Sequence, residues 1–355
     1  MRILLLGGTG AMGVHLTSVL SDRGDKVVVT SRIQRESKGS VKYFKGNAKD
    51  INFLRKILQE RCDAIVDFMV YSEDEFKERV DLFLNSTFQY IFLSSARVYD
   101  DSREPLIESS PRLLDSSLDT EFLATNEYSL SKARQEDLLH LSNYKNWTII
   151  RPYITYGEER LQLGTLEKEN WLYRALNGRS IVFLDDMKEH LTTLTYSLDV
   201  ASGIAKLIGN QKSFGEIYNI TSGQASKWSE IITVYLDILE EKLGYSPNVI
   251  YQDLSDFLDW NPGKYQIMYD RLFDRKFDNT KINKVVDTKE FIHVKDGLSK
   301  SLDKFLSNPK FKHINWKNEA IKDRYAKEKT SLKEIMGLKQ KIKYLMFRYI
   351  IKGKI

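Results

Sequence analysis

Short apolar runs closed by glycine or polar residues alternate with longer stretches of helical periodicity across the first third of the chain. Residues 2–6 (RILLL) and 26–30 (KVVVT) are nearly unbroken apolar runs, the pattern of strands buried on both faces of a parallel sheet. Residues 41–44, 64–68 and 89–93 read as further strands. Between them, residues 11–20, a stretch starting near Ile51, and residues 73–84 carry the apolar spacing of helices. Strands alternating with helices indicate βαβ units, so the pattern predicts an α/β fold with a doubly wound parallel sheet. A smaller α/β lobe is expected from Glu158 onward. It has a helix from about Leu166, an amphipathic helix over 228–243 and a strand over 248–251.

Composition bounds the function classes. The 355 residues are 42% hydrophobic and 29% charged, ordinary for a soluble globular protein. The single cysteine, Cys62, excludes an internal disulfide and a cysteine-based zinc site, and its place before an apolar run predicts a buried structural thiol. The five histidines show no ligand spacing, so no metal is expected. The first apolar run ends in glycines rather than a cleavage site, and no run approaches the roughly 20 apolar residues that span a bilayer. A cytoplasmic protein is the expectation. Net charge is +5, yet residues 317–355 hold twelve Lys/Arg against four Asp/Glu, which leaves the rest slightly acidic. The basic character belongs to this tail, and no nucleic-acid surface is expected over the body.

The richest stretch is GGTGAMG at 7–13. Gly7, Gly10 and Gly13 stand between a predicted strand and a predicted helix. There one glycine allows a sharp turn, one lets backbone approach a pyrophosphate, and one lets the helix pack on the sheet. Phosphates would sit at the helix N-terminus, where N–H groups and the helix dipole favour negative charge. A dinucleotide site follows. An acidic residue closing the second strand would repel a ribose 2′-phosphate; this chain has Ser31 and Arg32, with Arg35 nearby, which favours NADP, with NAD as second choice. Arg32 and Arg35 also fit plain solvated loop charges.

The fifth strand ends in Ser94-Ser95-Ala96-Arg97-Val98-Tyr99, where ligands bind in open α/β sheets. A later helix carries Tyr128 and Lys132, which share a face at i and i+4. A nearby ammonium favours the phenolate, which suits a tyrosine for proton exchange with a carbinol or carbonyl.

The chain resembles an extended short-chain dehydrogenase/reductase of the NAD-dependent epimerase/dehydratase family. The residues carrying this are GGTGAMG (7–13), SSARVY (94–99), YSLSK (128–132), RPYITYG (151–157), LDVA (198–201) and EIYNITSG (216–223), in the family's order over roughly residues 1–240. The resemblance implies a Rossmann-type domain over 1–157, completed by segments from about 190–225. A substrate lobe over 158–316 and the basic helical tail over 317–355 follow. It implies a Ser95-Tyr128-Lys132 triad, with Ser95 orienting, Tyr128 as acid/base and Lys132 on the nicotinamide ribose. Thr9, Ala11, Met12, Pro152 and Tyr153 fall within the matching cofactor motifs, and Asn47 takes the place of an adenine-contacting Asp. The implied activity is oxidoreduction or epimerisation of a nucleotide-linked sugar, in surface polysaccharide biosynthesis.

Two positions depart from the family pattern. Ile154 stands where nucleotide-sugar enzymes often carry Asn, and Asp67-Phe68-Met69-Val70-Tyr71 replaces an H-x-A-A motif. Arg97, at +2 from Ser95, stands where a dehydratase would carry an acid. Arg97, Arg160, Gln162 and Arg174 are candidates for gripping phosphate or sugar hydroxyls; lobe-surface charge is the plainer reading of the last three. Two other functions stay open, a non-catalytic Rossmann module for RNA or a protein, and a reductase of a non-nucleotide carbonyl. In the tail, Ile335, Leu338, Ile342, Leu345 and Tyr349 form one apolar stripe on a lysine-dense helix. The stripe can pack on the body, join a second copy into a homodimer, or lie on an anionic membrane.

Overall fold

Strands β1 (Arg2–Leu6), β2 (Lys26–Ser31), β3 (Val41–Lys45), β4 (Cys62–Asp67), β5 (Thr87–Leu93) and β6 (Trp147–Pro152) join a seventh, Glu216–Ile220, in one sheet. Its spatial order is seventh-β6-β5-β4-β1-β2-β3, with every pair parallel. The chain winds outward from β1 to β3, then returns to lay β4 on the other side of β1. That reversal opens a crevice at the carboxyl ends of β1 and β4. The computed structural model describes residues 1–351, and the chain divides into two units.

The sheet belongs to the first unit, made of Met1–Glu159, Thr193–Ala225 and Arg275–Val294. Alternate strand residues feed two cores because successive side chains point to opposite faces. Ile3, Leu5, Val27, Val29, Val66 and Ile91 pack with Leu16 and Leu20 of α1 (Ala11–Asp22) and with the helix Ser197–Leu207. Leu4, Leu6, Val28, Ile65, Tyr90 and Phe92 pack with Leu54 of α2 (Ile51–Ile57), Phe76, Phe83 and Leu139. Cys62, at the start of β4, is buried, and desolvation pushes its thiol above the ordinary range.

Three sequence expectations shift. The sequence pattern does not predict β6, because Thr148 and Arg151 interrupt its short apolar run. The helix expected over 73–84 is two helices, Glu73–Lys77 and Val80–Asn85; Ser72 and Glu75 cap the first reciprocally. Arg275–Val294 returns to the first unit, which no periodicity signals.

The second unit comprises Arg160–Thr192, Ser226–Asp274 and Lys295–Ile355. Strands Ile181–Leu184 and Val249–Gln252 pair in parallel, and the helix Trp228–Leu243 stops at Gly244 in the left-handed conformation. The helix expected from Leu166 starts at Leu172 instead. Leu163 and Leu166 exchange backbone hydrogen bonds of 2.8 Å around Gly164, forming a tight turn. The tail folds as the helix Trp316–Ala326 and a second helix, Leu338–Leu345, extended by a wider turn over Met346–Ile350. Its apolar stripe is divided: Ile335 is buried, Leu345 is half-buried, and Leu338, Ile342 and Tyr349 face outward. The buried side of the second helix is Tyr344, packed with Trp316 and Ala320.

Candidate active site

β1 delivers the glycine loop to the crevice. Gly7 sits at φ +69°, a left-handed conformation that turns the chain off the strand, and its N–H donates to Thr30 Oγ1 at 3.0 Å. Gly13 lies in the first turn of α1, where a Cβ would come within 2.5 Å of the Gly8 backbone, so helix and loop touch only because both lack side chains. Gly10 is exposed, caps α1 without any side-chain bond, and has open space where its Cβ would stand. The N–H groups of Ala11 and Met12 therefore belong to a helix start without side-chain capping, facing space that a phosphate can fill. Thr9 is half-buried beside them. Gly8 is a requirement the spacing did not reveal: a Cβ there would meet Leu5 at 2.8 Å.

β2 ends at Ser31, which is buried and accepts the Ile33 N–H at 3.3 Å. Arg32 and Arg35 are exposed on the following loop, Arg35 lying 5.9 Å from the Tyr43 ring. Asn47, exposed after β3, accepts the Lys49 N–H at 3.0 Å.

The end of β5 and the helix Tyr128–Leu141 carry the candidate reactive groups. Ser95 begins a single 3₁₀ turn, and its Oγ accepts the Arg97 N–H at 3.2 Å. Ser94 is buried behind it with a hydroxyl that has no partner. Tyr128, at the first position of its helix, is half-buried. The Lys132 ammonium lies 6.0 Å from the centre of its ring, on the face that the i, i+4 spacing dictates. Lys132 is buried and donates to the Leu93 carbonyl at 2.7 Å and to Met69 O at 3.5 Å. The end of β5 thus fixes the lysine that stands over the tyrosine. Arg97 lies 5.2 Å from the same ring and forms an ion pair with Glu127. Glu127 in turn accepts the N–H and hydroxyl of Ser129 at 2.5 Å each. Arg97 is therefore a neighbour of the tyrosine held by a carboxylate.

Asp67 joins the site through contacts that its place in the sequence does not reveal. It closes β4 fully buried, accepting Tyr90 OH at 2.8 Å, Met69 N–H at 2.9 Å and Tyr71 OH at 3.5 Å. Desolvation pushes its carboxyl up to about 6 despite those bonds and the Lys132 charge. Desolvation equally pulls the Lys132 ammonium down to about 8, opposed by the charges of Asp67 and Glu136. A carboxylate interrupting an apolar strand at its carboxyl end was the available signal.

On β6, Arg151 is buried in a two-pronged pair with Glu136 (2.8 and 2.6 Å) and lies 4.8 Å from the Tyr99 ring. Glu136 stands one turn beyond Lys132, so this pair ties the reactive helix to the sheet. Pro152 closes β6, and Tyr153 is buried with its ring 5.5 Å from Phe277.

The remaining candidates lie in the second unit. Arg160 binds Gln162 (3.2 Å) and Glu167 (3.3 Å), and Gln162 is buried. Arg174 does not reach outward at all. It is fully buried, with Nη1 on Glu319 (2.9 Å) and Asp323 (2.8 Å), Nη2 on Glu328 (2.7 Å) and Nε on the Ser180 carbonyl (2.7 Å). The expected grip on phosphate or sugar is replaced by a structural role, because every donor edge of the guanidinium already meets an acceptor.

Comparison with known proteins agrees with this architecture. The profile of the NAD dependent epimerase/dehydratase family matches residues 3–221. The chain belongs to that family. Among curated relatives of this family member, the chloroplast stem-loop binding protein of 41 kDa b of Arabidopsis thaliana is 26% identical over 236 residues, 62% of this chain and 58% of that protein. A UDP-glucose 4-epimerase of Lacticaseibacillus casei is 26% identical over 163 residues, 39% of this chain and 46% of the enzyme. The chain thus spans about half the length of these relatives. A solved UDP-glucuronic acid 4-epimerase from Bacillus cereus, in complex with NAD, superposes with a TM-score of 0.64 at 18% identity, covering 87% of this chain and 100% of that one. The fold is that of the epimerases.

Proposed function

We propose that this chain is an NAD(P)-dependent oxidoreductase or epimerase of a nucleotide-linked sugar. The observation that carries the reading is the Lys132 ammonium fixed on the carbonyl of Leu93, the last residue of β5 and two before Ser95, and placed over the Tyr128 ring. The glycine loop fits the cofactor, since Gly10 faces open space at an N-terminus without side-chain capping and the loop closes on Gly13 without side chains. Gly7, Thr9, Gly10, Ala11, Met12 and Gly13 would hold the pyrophosphate, Asn47 the adenine, and Pro152 and Tyr153 the nicotinamide side. When bound, the nicotinamide supplies hydride acceptance and donation.

The chain's own residues do the rest. Tyr128 moves the hydroxyl proton of the reacting carbon, Ser95 Oγ holds the same oxygen, and Lys132 binds the ribose while its charge favours the phenolate. Two residues beyond Ser95, where a dehydratase would carry an acid, stands Arg97, paired with Glu127, which favours epimerisation or reduction over dehydration. Ile154, buried where an Asn would bind diphosphate, implies a different substrate pose.

The Bacillus cereus enzyme holds NAD, whereas Ser31 and Arg32 favour a 2′-phosphate here. Arg32→Ala is therefore expected to weaken NADPH by about 10–100-fold, the loss of a charge-assisted hydrogen bond, and NADH by less than about threefold. Calorimetric titration checks this; equal losses for both would contradict the preference for NADP.

A pH profile tests the lysine. The Lys132 ammonium is lost as pH rises through about 8, so kcat/KM is expected to fall there. Asp67→Asn removes a negative charge that favours the ammonium, and the fall moves to lower pH. A limb that stays in place would separate Lys132 from turnover. Product analysis over a panel of nucleotide sugars tests the reading as a whole.

A second reading follows from the Arabidopsis relative, whose name records stem-loop binding. It gains support from the basic tail and none from the Ser95, Tyr128 and Lys132 arrangement.

A further inference from the structure

The last helix of the second unit, Leu338–Leu345 with its extension Met346–Ile350, has two apolar sides. One is buried through Tyr344, whose hydroxyl donates to Asp323 at 2.7 Å and accepts the Thr330 N–H at 2.9 Å. The other is exposed. Leu338 and Ile350 are each 73% exposed, and Ile342, Met346 and Tyr349 lie between them on the same side. Met336, 82% exposed, continues the stripe just before the helix. Lys339 and Lys343 stand exposed along its edge.

We propose that this stripe is a membrane-surface anchor for an anionic lipid bilayer. An amphipathic helix that presents aliphatic side chains bordered by lysines, with a tyrosine among them, lies in the interface of such bilayers. The charge along the helix is complementary to acidic lipid, since residues 338–351 carry four Lys/Arg and no Asp/Glu. A second copy of this chain fits less well, because pairing two such stripes brings their lysines together. RNA fits less well too, since it engages lysines and stacking rings but leaves Leu338, Ile342 and Ile350 in water. The contact is peripheral, as no helix among the described residues is long and apolar enough to cross a membrane.

Co-sedimentation of the full chain with vesicles of phosphatidylcholine alone, or with about one third phosphatidylglycerol, tests this. The expected result is binding only to the phosphatidylglycerol vesicles, weakened at least tenfold by Leu338→Glu with Ile342→Glu. Lys339→Gln with Lys343→Gln is expected to weaken it about 25-fold, at roughly fivefold per lysine near an anionic surface. Both substituted pairs are exposed, so unchanged thermal unfolding verifies folding. Binding equal on both vesicle types, or unaltered in both variants, overturns the proposal. So does the finding that the stripe variants abolish self-association or RNA binding while vesicles are ignored.

Discussion

Replacing Tyr128 by phenylalanine is expected to lower turnover by about 10²–10⁴-fold, the usual contribution of a positioned proton-transfer group. Only the hydroxyl is removed. The ring keeps Arg97 at 5.2 Å and Lys132 at 6.0 Å from its centre, contacts made by the ring and not the hydroxyl. Lys132 keeps its bond to Leu93, so cofactor affinity is expected to change by less than about threefold. Turnover with the preferred nucleotide sugar and cofactor titration on the same preparation separate the two effects. Full turnover in this variant would remove Tyr128 from the mechanism.

Arg174→Ala is expected to have the largest effect on stability, about 3–5 kcal/mol, because it leaves buried carboxylates without their cation. Glu319 and Asp323 lose their shared Nη1 donor and Glu328 loses Nη2. Asp323 also accepts Tyr344 OH at 2.7 Å and Thr330 Oγ1 at 2.7 Å, so the helix 338–345 is tied to the lobe through the same cluster. Lys322, pulled down to about 8 by desolvation, already forms an ion pair with Glu319 and donates to the Asn170 carbonyl at 2.7 Å, so Asp323 and Glu328 are the carboxylates left without their cation. Thermal unfolding and hydrogen exchange over residues 316–350 check this. A fall in sugar affinity with unchanged stability would instead return Arg174 to a binding role.

These two residues show what the sequence made legible. The sheet was readable because its strands are buried on both faces, which leaves nearly continuous apolar runs such as residues 2–6 and 26–30. The glycine loop was readable because Gly7 and Gly13 meet backbone constraints that other residues do not. Tyr128 and Lys132 were readable because i, i+4 spacing decides their juxtaposition before any tertiary contact. Arg174 was not, because its carboxylate partners are 145 to 154 residues away in the chain. Asp67 was seen only as a departure from a motif, since its meaning depends on Tyr90 and Lys132 arriving from other strands and helices. The tail stripe was visible as a period, but not its division into a buried side and an exposed one, which the position of Trp316 and Ala320 decides.

The central claim is that the crevice holds a nicotinamide for hydride exchange with a nucleotide-linked sugar. The most direct measurement is absorbance near 340 nm of the cofactor-loaded protein, mixed with nucleotide sugars one at a time. At least one nucleotide sugar is expected to change that signal, transiently if the hydride returns to the sugar as in epimerisation, and the change is lost in the Tyr128→Phe protein, which still binds cofactor. A protein that takes up no nicotinamide cofactor and instead binds RNA stem-loops in a salt-dependent manner would contradict it.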